Sequence, residues 1–149
     1  SVLRGYALID AADAPFVAQH RWNLSSTGYA QRTIRVDGRQ RKVFLHRELL
    51  GLPYPSDGRD VDHINRDRLD NRRTNLRVGT RAENSQNVSG SPHKTSQYRG
   101  VCWGSHAKCW KAKIVVNGQN INLGSFTDEQ EAAAAAREAR LRLMPYAVD

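Results

Sequence analysis

The residues best suited to chemistry are concentrated in positions 61–87. Asp62 and His63 are adjacent, Asn75 follows His63 by 12 residues, and Asn84 follows Asn75 by 9. A histidine with an ordinary pKa of about 6.5 accepts a proton from water near pH 7. Carboxylate and amide oxygens bind Mg²⁺, which keeps several waters and supplies positive charge to a reacting phosphate. These residue types therefore predict a centre for phosphodiester hydrolysis.

The loop of residues 64–74 is rich in arginine and aspartate. Because a guanidinium group matches phosphate oxygens in two-point contacts, we expect the loop arginines to contact phosphates: Arg66, Arg68, Arg72 and Arg73. Asp67 and Asp70 lie among these arginines, and we expect them to balance the positive charge.

Four other side chains near this stretch have structural or open interpretations. We expect His46 to pack or hydrogen-bond rather than to catalyse. Asn87 is expected to be a solvated helix residue rather than a further metal ligand. Arg77 and Arg81 are equally consistent with phosphate contacts and with solvated charges.

Local patterns predict how the candidate residues are positioned. Asp62 and His63 end a short strand, and a second strand covers residues 75–78. Thr80 and Glu83 form a capping-box pattern, which opens a helix of about two turns. In the order strand, loop, strand, helix, such a unit brings His63, Asn75 and Asn84 to one pocket.

Residues 61–87, with Phe44-Leu-His-Arg47 before them, resemble the HNH endonucleases, also called ββα-metal or His-Me finger endonucleases, in the H-N-N variant where asparagine replaces the final histidine. The resemblance implies that His63 is the general base that activates water. It implies that Asp62 and Asn84 hold one divalent cation, usually Mg²⁺ with Mn²⁺ as a substitute. It also implies that Asn75 positions the loop and the histidine ring.

The rest of the first half is predicted to support this unit. A strand is expected at 6–10, and a helix at 11–22 with Phe16 and Val17 turned inward. Asp37-Gly38 separates strand-like stretches at 29–36 and 41–46, which predicts a hairpin because such turns need positive φ. A short helix is expected to begin at His46.

The second half predicts a small sheet packed on one helix. Strands are expected at 98–103, 110–116 and 119–123, with Asn117-Gly118 turning the second into the third. An alanine-rich helix is expected at 128–143, capped by Thr127. Period-two alternation places Ala112, Ile114 and Val116 toward the helix and leaves the face of Lys111 and Lys113 for an acidic partner.

Residues 97–143 resemble the APETALA or ethylene-response-factor type of DNA-binding domain. The resemblance is carried by Tyr98-Arg-Gly-Val101, Trp110-Lys-Ala-Lys-Ile114, Leu123-Gly-Ser-Phe126 and the alanine run after Glu131. It implies a sheet that enters the major groove of DNA, with contacts from Arg99, Trp103, Lys111, Lys113, Asn120 and Asn122. Plant members carry arginine at several positions that are here Cys102, Gly104, Val115 and Asn120, so the base specificity is expected to differ.

Composition agrees with a nucleic-acid partner. The 149 residues carry a formal net charge of +8 with a pI near 10.0, and 18 of the 23 basic side chains are arginine. The longest apolar run, the alanines of residues 132–136, is too short to cross a bilayer. Two cysteines make no disulfide framework, and their spacing with His93 and His106 does not predict a zinc site. These features exclude a membrane span, a secreted mini-protein and a large multidomain enzyme.

The sequence therefore predicts an α+β protein in two parts. Residues 1–88 form an HNH nuclease domain with its ββα-metal motif at about 60–88, residues 89–97 a linker, and residues 98–149 an APETALA-type DNA-binding domain. The expected function is site-directed cleavage of double-stranded DNA, of the homing or mobile-element kind, by a cytoplasmic protein that is bacterial or phage-encoded. The alternative is a DNA-binding regulator without catalysis. The sequence leaves monomer and homodimer open.

Overall fold

The computed structural model describes residues 5–54, 56–87 and 95–148. These residues form a mixed α and β structure with small antiparallel sheets, as predicted. The chain divides into two compact units, Ser1–Asn84 and Ser85–Asp149. None of the helices in the described ranges is long and apolar enough to span a membrane.

In its described residues, the first unit contains five short helices or turns and five strands around a small core. In chain order the elements are a 3-10 turn at Ala11–Asp13, α1 (Ala14–Ala18), β1 (Asn23–Leu24), β2 (Ala30–Val36), β3 (Arg39–Phe44), α2 (Leu45–Leu49), β4 (Asp60–His63), a 3-10 turn at Arg73–Asn75, β5 (Leu76–Gly79) and α3 (Arg81–Asn84). Its core consists of Ala30, Leu45 and Leu49, and the side chains of Phe16 and Val17 pack against them as predicted.

The β2–β3 hairpin is turned by the predicted dipeptide, with φ values of 49° at Asp37 and 73° at Gly38. β1 pairs only with Ala30 and Gln31 at the start of β2. Both residues are buried, whereas the four residues at the start of β3, 39–42, are all exposed. Since consecutive strand residues point to opposite faces, the far end of this hairpin is exposed on both faces and projects from the core.

Two predictions for the N-terminal stretch are wrong. Residues 6–10 form no strand, because Leu8 makes only an isolated parallel bridge with Asp70. The helix predicted at 11–22 is reduced to a 3-10 turn followed by α1. The chain leaves the helix after Ala18, and this lets the Trp22 indole donate a hydrogen bond to the Val17 carbonyl and pack on the core.

The second unit is a three-stranded antiparallel sheet packed on one helix, in the order predicted. The elements are β6 (Val101–Gly104), β7 (Cys109–Val116), β8 (Gln119–Phe126) and α4 (Glu129–Leu143). Asn117 and Gly118 turn β7 into β8 with φ values of 51° and 79°. Ala112 of β7 packs with Ala132 and Ala136 of α4, and all three are completely buried. Small side chains on both elements therefore allow the helix to lie close to the sheet.

The start of α4 differs from the prediction. Asp128, rather than Thr127, is the N-cap, and its Oδ1 accepts the backbone N–H groups of Gln130 and Glu131 at 2.7 and 3.0 Å. β8 continues to Phe126, three residues beyond its predicted end, so Asp128 is the residue at which the extended backbone changes to helix.

The predicted linker and domain boundary also differ from the structural division. Residues 88–94 lie outside the described residues. Thr95 and Ser96 belong to the second unit, where Thr95 Oγ1 accepts the backbone N–H of Trp103 and Ser96 is buried. Gln86 also belongs there, because its side-chain oxygen accepts the N–H of Tyr146. The division at Asn84 therefore falls four residues before the predicted boundary.

Candidate active site

His63 ends β4 and is 4% exposed. Its ring packs against Tyr29 and His46, with ring centroids 5.8 and 5.1 Å apart. Burial lowers the pKa of His63. This effect outweighs the hydrogen bond to Asn71 and the negative charge of Asp62, which both raise the pKa. The ring is therefore held in its neutral form near pH 7, in which it can accept a proton.

Asn71 fixes which nitrogen of that ring carries the proton. The Asn71 amide Nδ2 donates to the carbonyl of Leu69 at 3.0 Å, so the other end of the amide, facing His63 Nε2 at 3.4 Å, is the oxygen. An amide oxygen only accepts, so Nε2 of the neutral ring carries the hydrogen. The lone pair is then on Nδ1. Asn71 is completely buried and its backbone N–H is held by the Leu8 carbonyl.

His46 packs beside His63, as predicted. It is buried, stacks on Phe44 at 5.5 Å and has a pKa lowered to about 3, first by burial and then by His63. Its Nδ1 is buried without a hydrogen-bond partner among the described residues. His46 is therefore neutral at physiological pH and contributes an uncharged wall to the site.

Asn75 closes the loop that follows His63. Its Nδ2 donates to the Asp70 carbonyl at 2.7 Å and to Asn65 Oδ1 at 3.0 Å, and its Oδ1 accepts the Asn65 backbone N–H at 3.0 Å. Its carbonyl accepts the N–H of Ile64. Asn75 thus ties both ends of the loop together, whereas Asn71 contacts the histidine ring.

Asp62 lies one residue before His63 on β4, so its side chain leaves the opposite face of the strand. Strand pairing places it across from Arg77, whose Nε and Nη2 donate to Asp62 Oδ2 at 2.9 and 2.6 Å. Of the two interpretations left open for Arg77, neither a phosphate contact nor a solvated charge describes this geometry. Arg77 orients the carboxylate from the neighbouring strand.

Asn84 is the last residue of α3, which lies against β4. The predicted capping box is present, since Glu83 accepts the Thr80 backbone N–H at 2.7 Å and Thr80 Oγ1 accepts that of Glu83 at 3.2 Å. The helix is one turn long rather than two. Asn84 Oδ1 is buried and accepts no hydrogen bond from the described residues.

An orphaned buried carbonyl oxygen costs about 1–3 kcal/mol, and it is a hard ligand of the kind that Mg²⁺ binds. Asp62 and Asn84 therefore offer a donor set that fits a divalent cation. Among the described residues, no group of three or more histidine, cysteine and acidic side chains is placed to hold a metal. The candidate site depends on one carboxylate and one amide.

Most of the loop arginines are engaged with the protein itself. Arg72 is paired with Asp70 at 2.6 Å, Arg73 with Asp13 at 2.7 Å, and Arg68 donates to the Thr27 carbonyl. The Arg72 pair lowers the pKa of Asp70 to about 2. Arg66 is exposed and has a φ of 65°. Three of the four arginines predicted to contact phosphates therefore act as structural ties, within the loop for Arg72 and to residues outside it for Arg68 and Arg73.

The aspartates of the loop have separate roles. Asp70 balances Arg72, as expected, and also accepts a hydrogen bond from Asn65. Asp67 instead accepts the backbone N–H of Leu69 through Oδ1 and stabilises a turn. Asn87, expected to be solvated, is buried in the second unit.

In the second unit, the candidate DNA contacts do not all share one face. Lys111, Lys113, Asn120 and Asn122 lie on the face opposite α4, where Lys113 is paired with Asn122. Trp103 is paired with Trp110, whose side chain packs on the helix side, and their ring centroids are 5.1 Å apart. Trp103 is 40% exposed at this edge of the sheet.

Two of these contacts have intramolecular partners. Arg99 Nη2 donates to the Gln86 carbonyl at 2.7 Å, so this guanidinium holds the start of the second unit. Asn122 Oδ1 accepts the backbone N–H of Gly124 at 3.2 Å. Cys102 and Cys109 are free, partly buried thiols, and His93 lies outside the described residues.

Sequence reasoning missed the roles of Asn71 and Asp13, and it named Arg77 without its role as the partner of Asp62. Asn71 carried a usable signal, since it is an asparagine within the loop after His63 and precedes two arginines. Arg77 follows from strand pairing once the register is known. Asp13 had no local signal, because its partner Arg73 is 60 residues away.

Comparison with known proteins points to one family. Residues 52–86 match the family model for HNH endonucleases. A protein named as an uncharacterized HNH endonuclease of Acanthamoeba polyphaga mimivirus is 33% identical over 132 residues, which cover 86% of this chain and 65% of the viral protein. Protein 3.8 of Escherichia phage T7 is 30% identical over 73 residues, 49% of this chain and 60% of the phage protein.

The chain spans less than two thirds of the length of either relative. No solved structure matches it significantly. The matched segment begins before β4 and extends through α3, and it therefore contains Asp62, His63, Asn75 and Asn84. The chain is therefore similar to HNH endonucleases over residues 52–86, and to a viral protein named as one over most of its own length.

Proposed function

We propose that this protein is a metal-dependent DNA endonuclease, of the homing or mobile-element type, that hydrolyses phosphodiester bonds with His63 as the general base. The observation that carries the proposal is the state of His63. The ring is buried and neutral, its Nε2 is committed to Asn71, and its lone pair is on Nδ1. A general base needs a lone pair at a defined nitrogen, and the hydrogen bond of the other nitrogen determines which one that is.

The proposed proton transfer is specific to one atom. A water at the site gives a proton to His63 Nδ1, the resulting hydroxide attacks the phosphorus, and the bond to the leaving sugar oxygen breaks. Asn71 keeps the ring in the tautomer with its lone pair on Nδ1, and burial of the ring keeps it neutral between turnovers. General-base catalysis of this kind contributes about 10²–10⁴ in rate.

Asp62 and Asn84 are the proposed metal ligands, with β4, β5 and α3 as the ββα-metal unit of the H-N-N variant. A bound Mg²⁺ or Mn²⁺ stabilises the charge that develops on the phosphate and on the leaving oxygen. The orphaned Asn84 oxygen supports this assignment, and Arg77 holds the Asp62 carboxylate in place. Asn75 maintains the loop between the strands, so it positions the site without contacting the reacting atoms.

The second unit is proposed to select the position of cleavage. An APETALA-type domain binds duplex DNA through the face opposite its helix, and here that face carries exposed Lys111 and Lys113 together with Asn120 and Asn122. Phosphate contacts position such a domain and base contacts give it specificity. A tethered reader of this kind would direct a sequence-tolerant nuclease to one site.

The alternative is a DNA-binding regulator without catalysis. It is favoured by one observation only, that Lys111 and Lys113 are exposed on the sheet of the second unit. The intact set of Asp62, His63 and Asn84, with a buried Asn84 oxygen that accepts no hydrogen bond from any described residue, favours the nuclease.

Cleavage of supercoiled plasmid tests the proposal. The wild-type chain should give nicked or linear DNA with Mg²⁺ or Mn²⁺ and none with EDTA. His63→Ala, purified in the same way, should lose at least 100-fold in rate while binding duplex DNA within about twofold of wild type. Equal cleavage by this variant would refute the assignment of His63, and plasmid binding without cleavage by wild type under all metal conditions would favour the regulator.

A further inference from the structure

The far end of the β2–β3 hairpin, residues 33–42, is a surface without an assigned role; we call it the arm. At the base of the hairpin, Ala30, Gln31 and Val43 are buried. Within the arm, Ile34 and Val36 are half-buried and every other residue is exposed. A two-stranded ribbon of this kind buries too little surface to form a core of its own. The arm is thus free to contact another molecule on both faces.

The arm is strongly basic. It carries Arg35, Arg39, Arg41 and Lys42 against one acidic residue, Asp37. Within the described part of the chain, none of these four basic side chains makes a hydrogen bond or ion pair. Arg32, just below the arm, differs because it forms a two-point ion pair with Glu48 at 2.6–2.7 Å.

Strand register divides the four cations between the two faces. Arg39 and Arg41 lie opposite Val36 and Ile34 on one face, and Arg35 and Lys42 lie on the other. On the first face, an open pocket of about 360 Å³ is lined by Arg39, Arg41 and the half-exposed Tyr54, among others. Arginine and tyrosine are among the side chains that donate to phosphate oxygens in protein–DNA complexes.

We propose that the arm binds backbone phosphates of duplex DNA outside the scissile phosphate, with Arg39 and Arg41 as its principal contacts. The inference rests on the proposed function, which makes duplex DNA the substrate. A two-stranded ribbon fits the major groove of B-form DNA, so an arm exposed on both faces has the right shape for this partner.

Four of the five charged side chains of the arm are positive, and this distinguishes DNA binding from simple protection of a strand edge. Charged residues on an edge strand prevent pairing with other chains, but acidic or mixed charges would serve equally well. Four unpaired cations in ten residues favour a polyanion. The arm also differs from the loop of residues 64–74, where carboxylates already neutralise Arg72 and Arg73.

The test measures affinity for a DNA duplex against salt concentration, in EDTA so that no cleavage occurs. Loss of two phosphate contacts flattens the slope of log affinity against log salt by about 1.8. We therefore expect Arg39→Gln/Arg41→Gln to lower the slope by about 1.8 and to reduce affinity about tenfold at low salt. Arg39→Lys/Arg41→Lys should keep most of the slope, because a phosphate contact needs mainly the charge.

The charge-matched control is Arg21→Gln/Arg142→Gln, which removes two exposed arginines outside the arm. If the arm variant binds with the same slope as this control while wild type binds DNA tightly, the arm inference is wrong and the proposed function stands. If wild type itself does not bind duplex DNA, both fail. A loss of affinity for an RNA duplex as large as that for DNA would overturn B-form DNA as the partner.

Discussion

Two regions of the molecule differ in how their polar side chains are held: the surroundings of β4 and β5, and the face of β7 and β8 opposite α4, called here the outer face. In the first region His63, Asn71 and Asn75 are buried, Asn71 is hydrogen-bonded to His63, and Asn75 is hydrogen-bonded to the Asp70 carbonyl. In the second, Lys111 and Lys113 are exposed and make no hydrogen bond or ion pair with any described residue. Chemistry requires groups fixed before the substrate arrives, whereas phosphate binding needs only accessible charge.

The comparison makes a kinetic distinction between the two regions. Changes around β4 and β5 should alter the cleavage rate at saturating DNA, and changes on the outer face should alter affinity and its dependence on salt. Each of the following predictions tests one side of this distinction against a matched change.

The largest expected effect is a loss of cleavage rate that occurs for one asparagine, Asn84, and not for another, Asn122. Asn84→Ala removes the buried oxygen proposed to bind metal, and the cleavage rate at saturating DNA should fall about 100-fold. Asn122→Ala, the same change on the outer face, should leave that rate unchanged and weaken binding by a few fold. Rates and affinities measured for both variants on one duplex provide the check. A similar loss of rate in both would remove the distinction.

The next effect is a pH dependence of stability in the buried region. His46 has a folded pKa of about 3 against 6.5 for the unfolded chain. Between these pH values His46 is protonated in the unfolded chain but stays neutral in the folded chain. The free energy of unfolding therefore falls as pH decreases from 6.5 toward 3, by up to about 1.4 kcal/mol per pH unit. His46→Phe should lose this contribution, so denaturant unfolding between pH 7 and 5 should show a shallower dependence than in wild type. Equal slopes would show that His46 does not titrate in this way.

A smaller effect concerns affinity on the outer face. Lys111→Gln/Lys113→Gln should flatten the slope of log affinity against log salt by about 1.8, with the cleavage rate at saturating DNA unchanged. Arg99 is left in place because its guanidinium holds the Gln86 carbonyl, and its removal would perturb the fold. A variant that keeps its salt slope but loses turnover would place these lysines in the catalytic machinery.

The smallest effect is on stability at two helix ends. Thr80→Ala breaks the capping box of α3 and should lower the free energy of unfolding by about 1 kcal/mol. Thr127 precedes the true cap of α4, so Thr127→Ala should change it by less than about 0.5 kcal/mol. Urea unfolding of both variants makes the comparison. A larger loss for Thr127→Ala would mean that Asp128 does not cap α4 alone.

Features set by neighbouring residues were predictable from the sequence. Asp37-Gly38 and Asn117-Gly118 both turn hairpins, because each pair adopts the positive φ that such turns require. The alternation of Ala112 and Lys113 correctly separated the buried and exposed faces of β7. The Thr80 capping box formed as its spacing indicated.

Features set by distant residues were not predictable. The sequence shows that Arg72 and Arg73 are basic, but not that one pairs with Asp70 and the other with Asp13 across 60 residues. The contact between Asn71 and His63 depends on the path of the loop, which is set partly by the Leu8 backbone. Residues 6–10 had a strand-like composition, but no neighbouring strand was available to pair with them.

Contacts between residues 8–13 and the loop of residues 64–74 have a consequence for how the protein is made. Leu8 bridges Asp70, and Asp10 and Asp13 hold Arg73 from 63 and 60 residues away. On the ribosome these three residues emerge well before the segment they hold, and contacts of such long sequence separation form late in folding. The loop that carries Asn71 thus takes its final shape only after residue 73 has been synthesised and has met the N-terminal segment. His63 therefore acquires its Asn71 partner late, although it lies before that loop in the chain.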